Sequence, residues 1–284
     1  MKVKNTRYGD MMFLENDRLV GRSLDLYGEV NYFKVEFLKK LITSEEDVIV
    51  DVGANIGSVT VPLAKKVPEG YVLALEPHTH SFYTLCGNIA LNKLTNVQVF
   101  NRAGSDNSNK ICYFPSVDID GDIDMSSIRL SSILNGKDLE ERKCENPVSA
   151  IAIDDLKLAN PRLIKISAQG MEVSILNGGR KTIDRATPAL YVSFSENQED
   201  VLKFLETVGY DWELHEPPCF NPNNFAYGKI DEINGGVSQS VFAYPKGDRP
   251  EVEDEYLVDL DKSEDHQDIR NLRDNLSQAE FSTV

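Results

Sequence analysis

The sequence predicts an α/β protein with a mostly parallel sheet covered by helices on both faces, and three observations carry that expectation. An apolar run, Val48 to Val50, enters the loop Asp51 to Gly57, and a helix-like segment, Ser58 to Lys66, leaves it. A second apolar run, Tyr71 to Leu75, ends in the acid Glu76, about 20 residues past the glycine loop. Beyond it, strand-like and helix-like segments alternate as far as about Tyr244. That alternation implies parallel strands joined by crossover helices.

Each element follows from its own pattern. Val48 to Val52, Tyr71 to Glu76, Val97 to Asn101, Leu163 to Ser167 and Leu190 to Ser193 are rich in β-branched and aliphatic residues and short enough for buried strands. His80 to Leu91, Met171 to Arg185 and Glu199 to Val208 have the length and spacing of covering helices. Val148 to Ile153 resumes the pattern after a long irregular stretch. Asp211 to His215 and Gln239 to Tyr244 have no helix between them, so the final strand of a seven-stranded sheet is expected to run antiparallel.

Three regions are expected. Residues 1–45, polar and turn-rich before an amphipathic helix at Tyr32 to Leu41, form a lid or pre-domain. Residues 46–246 form the catalytic-sized domain, and residues 247–284 form an acidic tail. Between Asp248 and Glu280 there are 12 acidic residues against 4 basic ones and almost no aromatics, the mark of a solvated segment dispensable for the fold.

The glycine loop has the form D-x-G-x-N-x-G and not the G-x-G-x-x-G of dinucleotide sites, which argues against a nucleotide-dependent oxidoreductase. It suits S-adenosylmethionine, a ligand with no phosphate but with an ammonium and a ribose for acids to hold. Gly53 permits the sharp turn, and Gly57 is expected to let the following helix start close to the ligand. The cofactor-binding set is therefore Asp51, Gly53, Ala54, Asn55, Gly57, Glu76, Pro77 and Asn101. The same glycines could instead merely turn a strand into a helix.

Composition narrows the partners. A net charge of −16 disfavours nucleic acid, whose binding needs clustered Lys and Arg, and disfavours an anionic membrane surface. No apolar run reaches the roughly 20 residues of a membrane span, and the first residues lack a signal-peptide core, so a cytoplasmic location is expected. Cys86, Cys112, Cys144 and Cys219 are scattered and expected to be free thiols. No metal set is assigned. His78 and His80 flank a turn that caps the next helix. Asp118 to Asp124 resembles a calcium loop but has Ile123 and Arg129 where glycine and glutamate are needed, so a polar surface loop is expected.

Several collinear segments together resemble the FkbM-type methyltransferases: Gly21 to Glu29, Val50 to Gly57, Ala74 to Pro77, Ile153 to Leu156, Ile164 to Glu172 and Pro217 to Phe225. The resemblance covers about 20 to 245. It implies a class I, Rossmann-like methyltransferase fold, S-adenosylmethionine as cofactor, and methyl transfer mostly to hydroxyls of sugars, glycans or other natural products. Tyr27 and Glu29, in the family's lid motif, and Asn221 and Asn224, in the proline-bracketed segment, become candidate substrate residues. Packing and turn formation would use the same four residues.

The departures fall on the strand ends. Where the family typically has K-I-D-V-E-G, this chain has Lys165 to Gly170 with Ser167 and Gln169 in place of acids, and Ser193 stands where a third acid is expected. An alcohol acceptor must lose a proton, and a positioned base is worth about 10² to 10⁴ in rate. The remaining candidate catalytic residues are His215, Glu172 and Ser167, with Asp154 or Asp155 behind them. His215 is preferred because imidazole accepts a proton near neutral pH, although a histidine packed at a strand end fits equally. A catalytically silent binder that keeps the fold is the alternative function.

Overall fold

The computed structural model describes residues 1–128, 132–134, 145–193, 197–233, 236–263 and 265–281. The chain opens with a hairpin, β1 (Lys2–Thr6) and β2 (Gly9–Phe13), and two helices, α1 (Val20–Tyr27) and α2 (Tyr32–Lys40). Then come β3 (Val48–Val52), α3 (Thr60–Lys66), β4 (Tyr71–Leu75), α4 (Thr79–Leu91) and β5 (Val97–Phe100). A side region holds β6 (Ala103–Gly104), β7 (Ile111–Pro115), β8 (Ser132–Leu134) and β9 (Glu145–Ile151). The main sheet resumes with β10 (Pro161–Ile166), α5 (Glu172–Gly178), α6 (Arg180–Ala186), β11 (Ala189–Ser193), α7 (Gln198–Thr207), β12 (Tyr210–His215) and β13 (Ser240–Pro245). Last come β14 (Leu257–Val258) and α8 (Gln267–Phe281).

The main sheet has the order β14-β12-β13-β11-β10-β3-β4-β5. From β11 to β5 all neighbours are parallel, and β13 runs antiparallel between β11 and β12. The expected antiparallel strand is therefore present, wedged inside the sheet because β12 and β13 pair directly. From β3 the chain builds outward through β4 and β5, then returns to build β10 and β11 on the other side. The β3/β10 boundary is the topological switch point where a crevice opens at the strands' carboxyl ends.

Two apolar layers flank this sheet. Phe13, Leu24, Phe37 and Leu38 from the first 45 residues share one layer with Ile49, Leu63 and Tyr191, so the hairpin and α2 are part of the domain's core. Ile166, Ile175, Leu190, Leu202 and Leu214 build the other, under α5, α6 and α7. Val50, Val52, Ile49 and Ile166 are buried as a strand covered on both faces requires.

Three expectations are corrected. The long irregular stretch carries a second, four-stranded sheet, β6-β9-β7-β8, with its own small core of Ala103, Cys112, Phe114, Val148 and Ala150. Val148 to Ile151 belongs to that sheet and not to the main one, and Ile153 starts a 3₁₀ turn. The segment after 247 is not simply a solvated tail: β14 adds an eighth strand antiparallel to β12, Val252 and Leu260 are buried, and Ile269 and Leu272 of α8 pack on the second layer. Spaced single apolar residues among many acids concealed this role. Cys86, Cys112 and Cys219 are free, while Cys144 lies outside the described residues.

Deleting residues 248–284 should therefore destabilise the domain. Val252 and Leu260 alone account for roughly 3–6 kcal/mol at about 1.5–3 kcal/mol per buried side chain. At about 2–4 °C per kcal/mol for a domain of this size, Tm should fall by on the order of 10 °C. A melting curve unchanged by the deletion would restore the dispensable tail.

Candidate active site

The crevice at the switch point encloses about 1130 Å³ of empty space, solvent at its mouth included. Its floor is three strand ends: Val52 to Asn55 after β3, Glu76 to His78 after β4, and Ser167 to Gln169 after β10. Asn31 and Lys34 of the α2 start form one wall, and Phe114, Met125, Ser126 and Ile128 from the side region form another. The site is thus roofed by two parts of the chain that the alternating pattern did not describe.

Under the loop sits a buried ion pair. Lys165 Nζ meets Asp51 Oδ1 at 2.8 Å, and Asp51 Oδ2 accepts the Thr60 hydroxyl at 2.7 Å. Lys165 also donates to the Gly53 carbonyl at 3.0 Å. Asp51 is completely buried and does not line the crevice, so its role is to fix β3, β10 and the start of α3 to one another.

The glycines divide the work differently from expectation. Gly53 has φ +74°, and a Cβ there would run into the Ser167 carbonyl oxygen, so this glycine is demanded by the neighbouring strand's backbone. Gly57 has φ +89°, and a Cβ would meet Leu85 of α4. It faces the packed interior and does not line the crevice. Helix α3 begins only at Thr60, so Gly57 serves packing and not a close approach to ligand.

Glu76 lies on the crevice floor with Oε2 accepting the Asn55 N–H at 2.7 Å and Oε1 accepting the His78 N–H at 2.8 Å. Burial pushes its pKa up to about 7 despite those two bonds. Asn55, at φ +51°, presents a buried Oδ1 with no hydrogen-bond partner among the described residues. Ala54 and Pro77 line the crevice, whereas Asn101 stands behind it, donating to the carbonyls of Glu76 at 2.9 Å and Pro77 at 3.0 Å. Asn101 therefore shapes the loop and does not face the space.

Of the candidate catalytic residues, the structure brings only Ser167 to the crevice. Its hydroxyl accepts from Ser193 Oγ at 2.8 Å, so two of the positions where the resemblance leads one to expect acids hold a hydroxyl pair. Gln169 also lines the space, its Nε2 donating to the Ser126 carbonyl at 3.4 Å. Glu172 is fully buried at the first turn of α5 and is not on the wall. Asp154 caps α6, accepting the Thr182 N–H at 2.8 Å.

His215 is a core histidine. It stacks on Phe37 at 4.1 Å between centroids, its Nδ1 is hydrogen-bonded to the Tyr191 hydroxyl at 2.8 Å, and Asp254 lies 3.4 Å from Nε2. Strand β13 separates its strand from β11, and α2 with the 254 segment covers it. Burial holds its pKa down to about 4, so it is a neutral packing element at neutral pH.

The four candidate substrate residues form a knot beside the crevice. Glu29 accepts from Arg7, from Asn221 Nδ2 at 2.7 Å and from the Phe225 N–H at 2.9 Å. Asn224 Nδ2 donates to the Asn221 carbonyl at 3.0 Å, and its Oδ1 accepts the Gly228 N–H at 2.8 Å. The Tyr27 hydroxyl accepts the Glu232 N–H at 2.7 Å. None of the four lines the crevice, because their polar atoms are used to pin the 220–233 loop against the end of α1.

Among the lining residues that the sequence reading did not assign to the site are the side-region wall and three nitrogen-bearing groups that can titrate, Lys34, His78 and Lys165, with Asn31 beside Lys34. Lys34 had a signal, since it falls on the buried face of α2 with Val35, Phe37 and Leu38, where a charge is out of place. His78 is buried with its pKa held down to about 4 by desolvation.

Against known families, residues 51–212, more than half of the chain, match the methyltransferase FkbM domain. The chain belongs to the FkbM methyltransferase family. The FkbM domain match runs from Asp51 to Trp212, so it contains the crevice floor but neither Lys34 nor the 254 segment. Among solved structures, a methyltransferase FkbM from Methylobacillus flagellatus KT is 19% identical, with TM-score 0.46, over 71% of this chain and 44% of that one. TYW2 of M. jannaschii, in complex with AdoMet, is 18% identical, with TM-score 0.41, over 75% of this chain and 74% of that one. A curated relative, the tRNA(Phe) (4-demethylwyosine(37)-C(7)) aminocarboxypropyltransferase of Methanocaldococcus jannaschii, is 46% identical over 56 residues. Those residues are 20% of this chain and 22% of that protein, so the chain matches about a fifth of that relative's length and under half of the M. flagellatus structure.

Burial of His215 fixes a pH dependence. Its folded pKa, about 4, lies below its ordinary value of 6.5, so the unfolded state binds more protons between those pH values. Its contribution is complete above pH 6.5 and is lost as pH falls to about 4. Glu76, with its folded pKa raised to about 7, works in the opposite sense between 4.5 and 7, so the His215 share must be isolated by substitution. His215→Ala should cost about 2–4 kcal/mol at pH 7.5, by cavity formation, and lose less stability than wild type on acidification. Ligand affinity in the crevice should stay within twofold. Denaturant titration at pH 7.5 and 5 checks the first two, and an equal acid loss in both proteins would exclude His215 as the titrating group.

Proposed function

We propose that this FkbM-family protein binds S-adenosylmethionine in the switch-point crevice and transfers its methyl group to a hydroxyl of a sugar, glycan or other small molecule. The observation that carries the reading is the crevice floor itself, where Gly53 to Asn55 and Glu76 meet at the carboxyl ends of adjacent parallel strands within the matched domain. The fit is chemical. The buried, unpartnered Oδ1 of Asn55 offers an acceptor to an ammonium or hydroxyl donor, and the Glu76 carboxylate lies where ribose hydroxyls would donate. Phe114, Met125, Ile128 and Val20 supply apolar surface for a base.

The bound cofactor would supply an electrophilic methyl on a sulfonium, open to in-line attack by the acceptor oxygen with the thioether as leaving group. The chain's own residues would hold the two partners in alignment and exclude water, which accounts for much of the rate in such a displacement. A small acceptor is favoured over a nucleic acid by the net charge of −16, although a relative over 56 residues is named for a tRNA. The alternative, a binder without turnover, is favoured by one observation: Ser167 and Ser193 are bonded to each other where the family pattern has acids.

Calorimetry with S-adenosylmethionine and S-adenosylhomocysteine tests the cofactor. Both should bind, and Glu76→Ala should weaken binding by about 1.5–3 kcal/mol, the range for a hydrogen bond to a charged group. Absence of binding at millimolar ligand would sink the reading. Binding without methyl transfer to any of a panel of sugars and polyols would select the binder.

A further inference from the structure

Lys34 is a charged crevice residue that no partner among the described residues accounts for. It enters from the first turn of α2, is 7% exposed, and lines the space opposite the glycine loop. Its ammonium has no hydrogen bond or ion pair with any described residue, and the Tyr191 ring centroid lies 5.9 Å from Nζ. A lysine buried for packing alone would be expected to reach a carboxylate or the surface. Lys165 in the same crevice does so through Asp51.

The groups facing Lys34 come from every neighbouring element. Lys165 on β10 and His215 on β12 stand near it, with Asp51 on β3, Cys219 in the following loop and Tyr191 on β11. Asp51 and Cys219 act to keep the ammonium charged, each more weakly than Lys165 acts against it. Desolvation, reinforced by the Lys165 charge, pulls the Lys34 pKa down to about 8, so an appreciable fraction is a neutral amine near pH 7.5.

We propose that Lys34 is the proton acceptor for methyl transfer in this crevice, taking over from the strand-end acids that this chain lacks. The inference rests on the cofactor reading above. The acceptor hydroxyl forms a bond from oxygen to the methyl carbon as the carbon–sulfur bond breaks, the sulfur keeps that electron pair as a neutral thioether, and the hydroxyl proton passes to the Lys34 amine. The resulting ammonium returns its proton to solvent. The role requires that Lys34 Nζ lie close to the sulfonium, and that requirement can be tested without knowing the acceptor.

A sulfonium beside Lys34 disfavours the ammonium, whereas the thioether of S-adenosylhomocysteine does not. The affinity ratio of S-adenosylmethionine to S-adenosylhomocysteine should therefore rise by about tenfold from pH 6.5 to 9.5, one pKa unit of differential shift. Groups common to both ligands, such as their amino group, cancel in the ratio, as does Glu76 at the ribose end. Lys34→Met should make the ratio pH-independent at its high value, and Lys34→Arg should make it pH-independent at its low value. A flat ratio in the wild type, or a slope that survives Lys34→Met, overturns the proposal while leaving the cofactor site intact. Failure of both ligands to bind the wild type overturns the cofactor reading and this proposal with it.

Discussion

The Asp51–Lys165 ion pair is the constraint on which the site depends. It joins the carboxyl ends of β3 and β10 where the sheet changes direction, and through Thr60 it anchors the helix that follows the glycine loop. Removing one partner of a buried pair typically costs about 3–5 kcal/mol, because the other charge is left in the interior. The Gly53 turn is compatible with this tie only because no Cβ stands between the loop and the Ser167 carbonyl. The contacts that shape the crevice floor are therefore made within the chain itself, which favours binding that does not have to order its own site.

The parallel core was legible because each of its strands is a short aliphatic run with a helix pattern after it. What was not legible lies where the signal is non-local. β14 is two residues long, and its pairing with Leu214 and His215 depends on the chain returning from Asp248 to the sheet edge. The second sheet is built from segments that alternate weakly and separate β6 from β9 by more than forty positions. Composition correctly marked the 248–284 segment as acidic, yet Asp254 uses that charge at Lys40 and beside His215.

Motif membership and site membership also proved different things. Tyr27, Glu29, Asn221 and Asn224 sit in segments resembling family motifs, and their hydrogen bonds are spent on each other, on backbone and on the Arg7 and Asp231 side chains. Glu29 lies two residues before Asn31, which does line the crevice, so the knot positions the start of α2 and with it Lys34. A motif can serve a reaction by holding a wall in place, and sequence alone does not separate that role from contact.

The same logic links the missing acids to the lysine. A carboxylate at position 167 would face the crevice that Lys34 faces, and its charge would hold the ammonium protonated across the physiological range. Serine at 167, bonded to Ser193, supplies a dipole and no charge. The like charge of Lys165 then acts with burial to favour the neutral amine, more strongly than Asp51 acts to keep it charged. Serine at 167 and a neutral amine at Lys34 are thus one electrostatic arrangement: with no carboxylate at this strand end to hold its proton, the amine is left able to accept one, which is the role proposed for it.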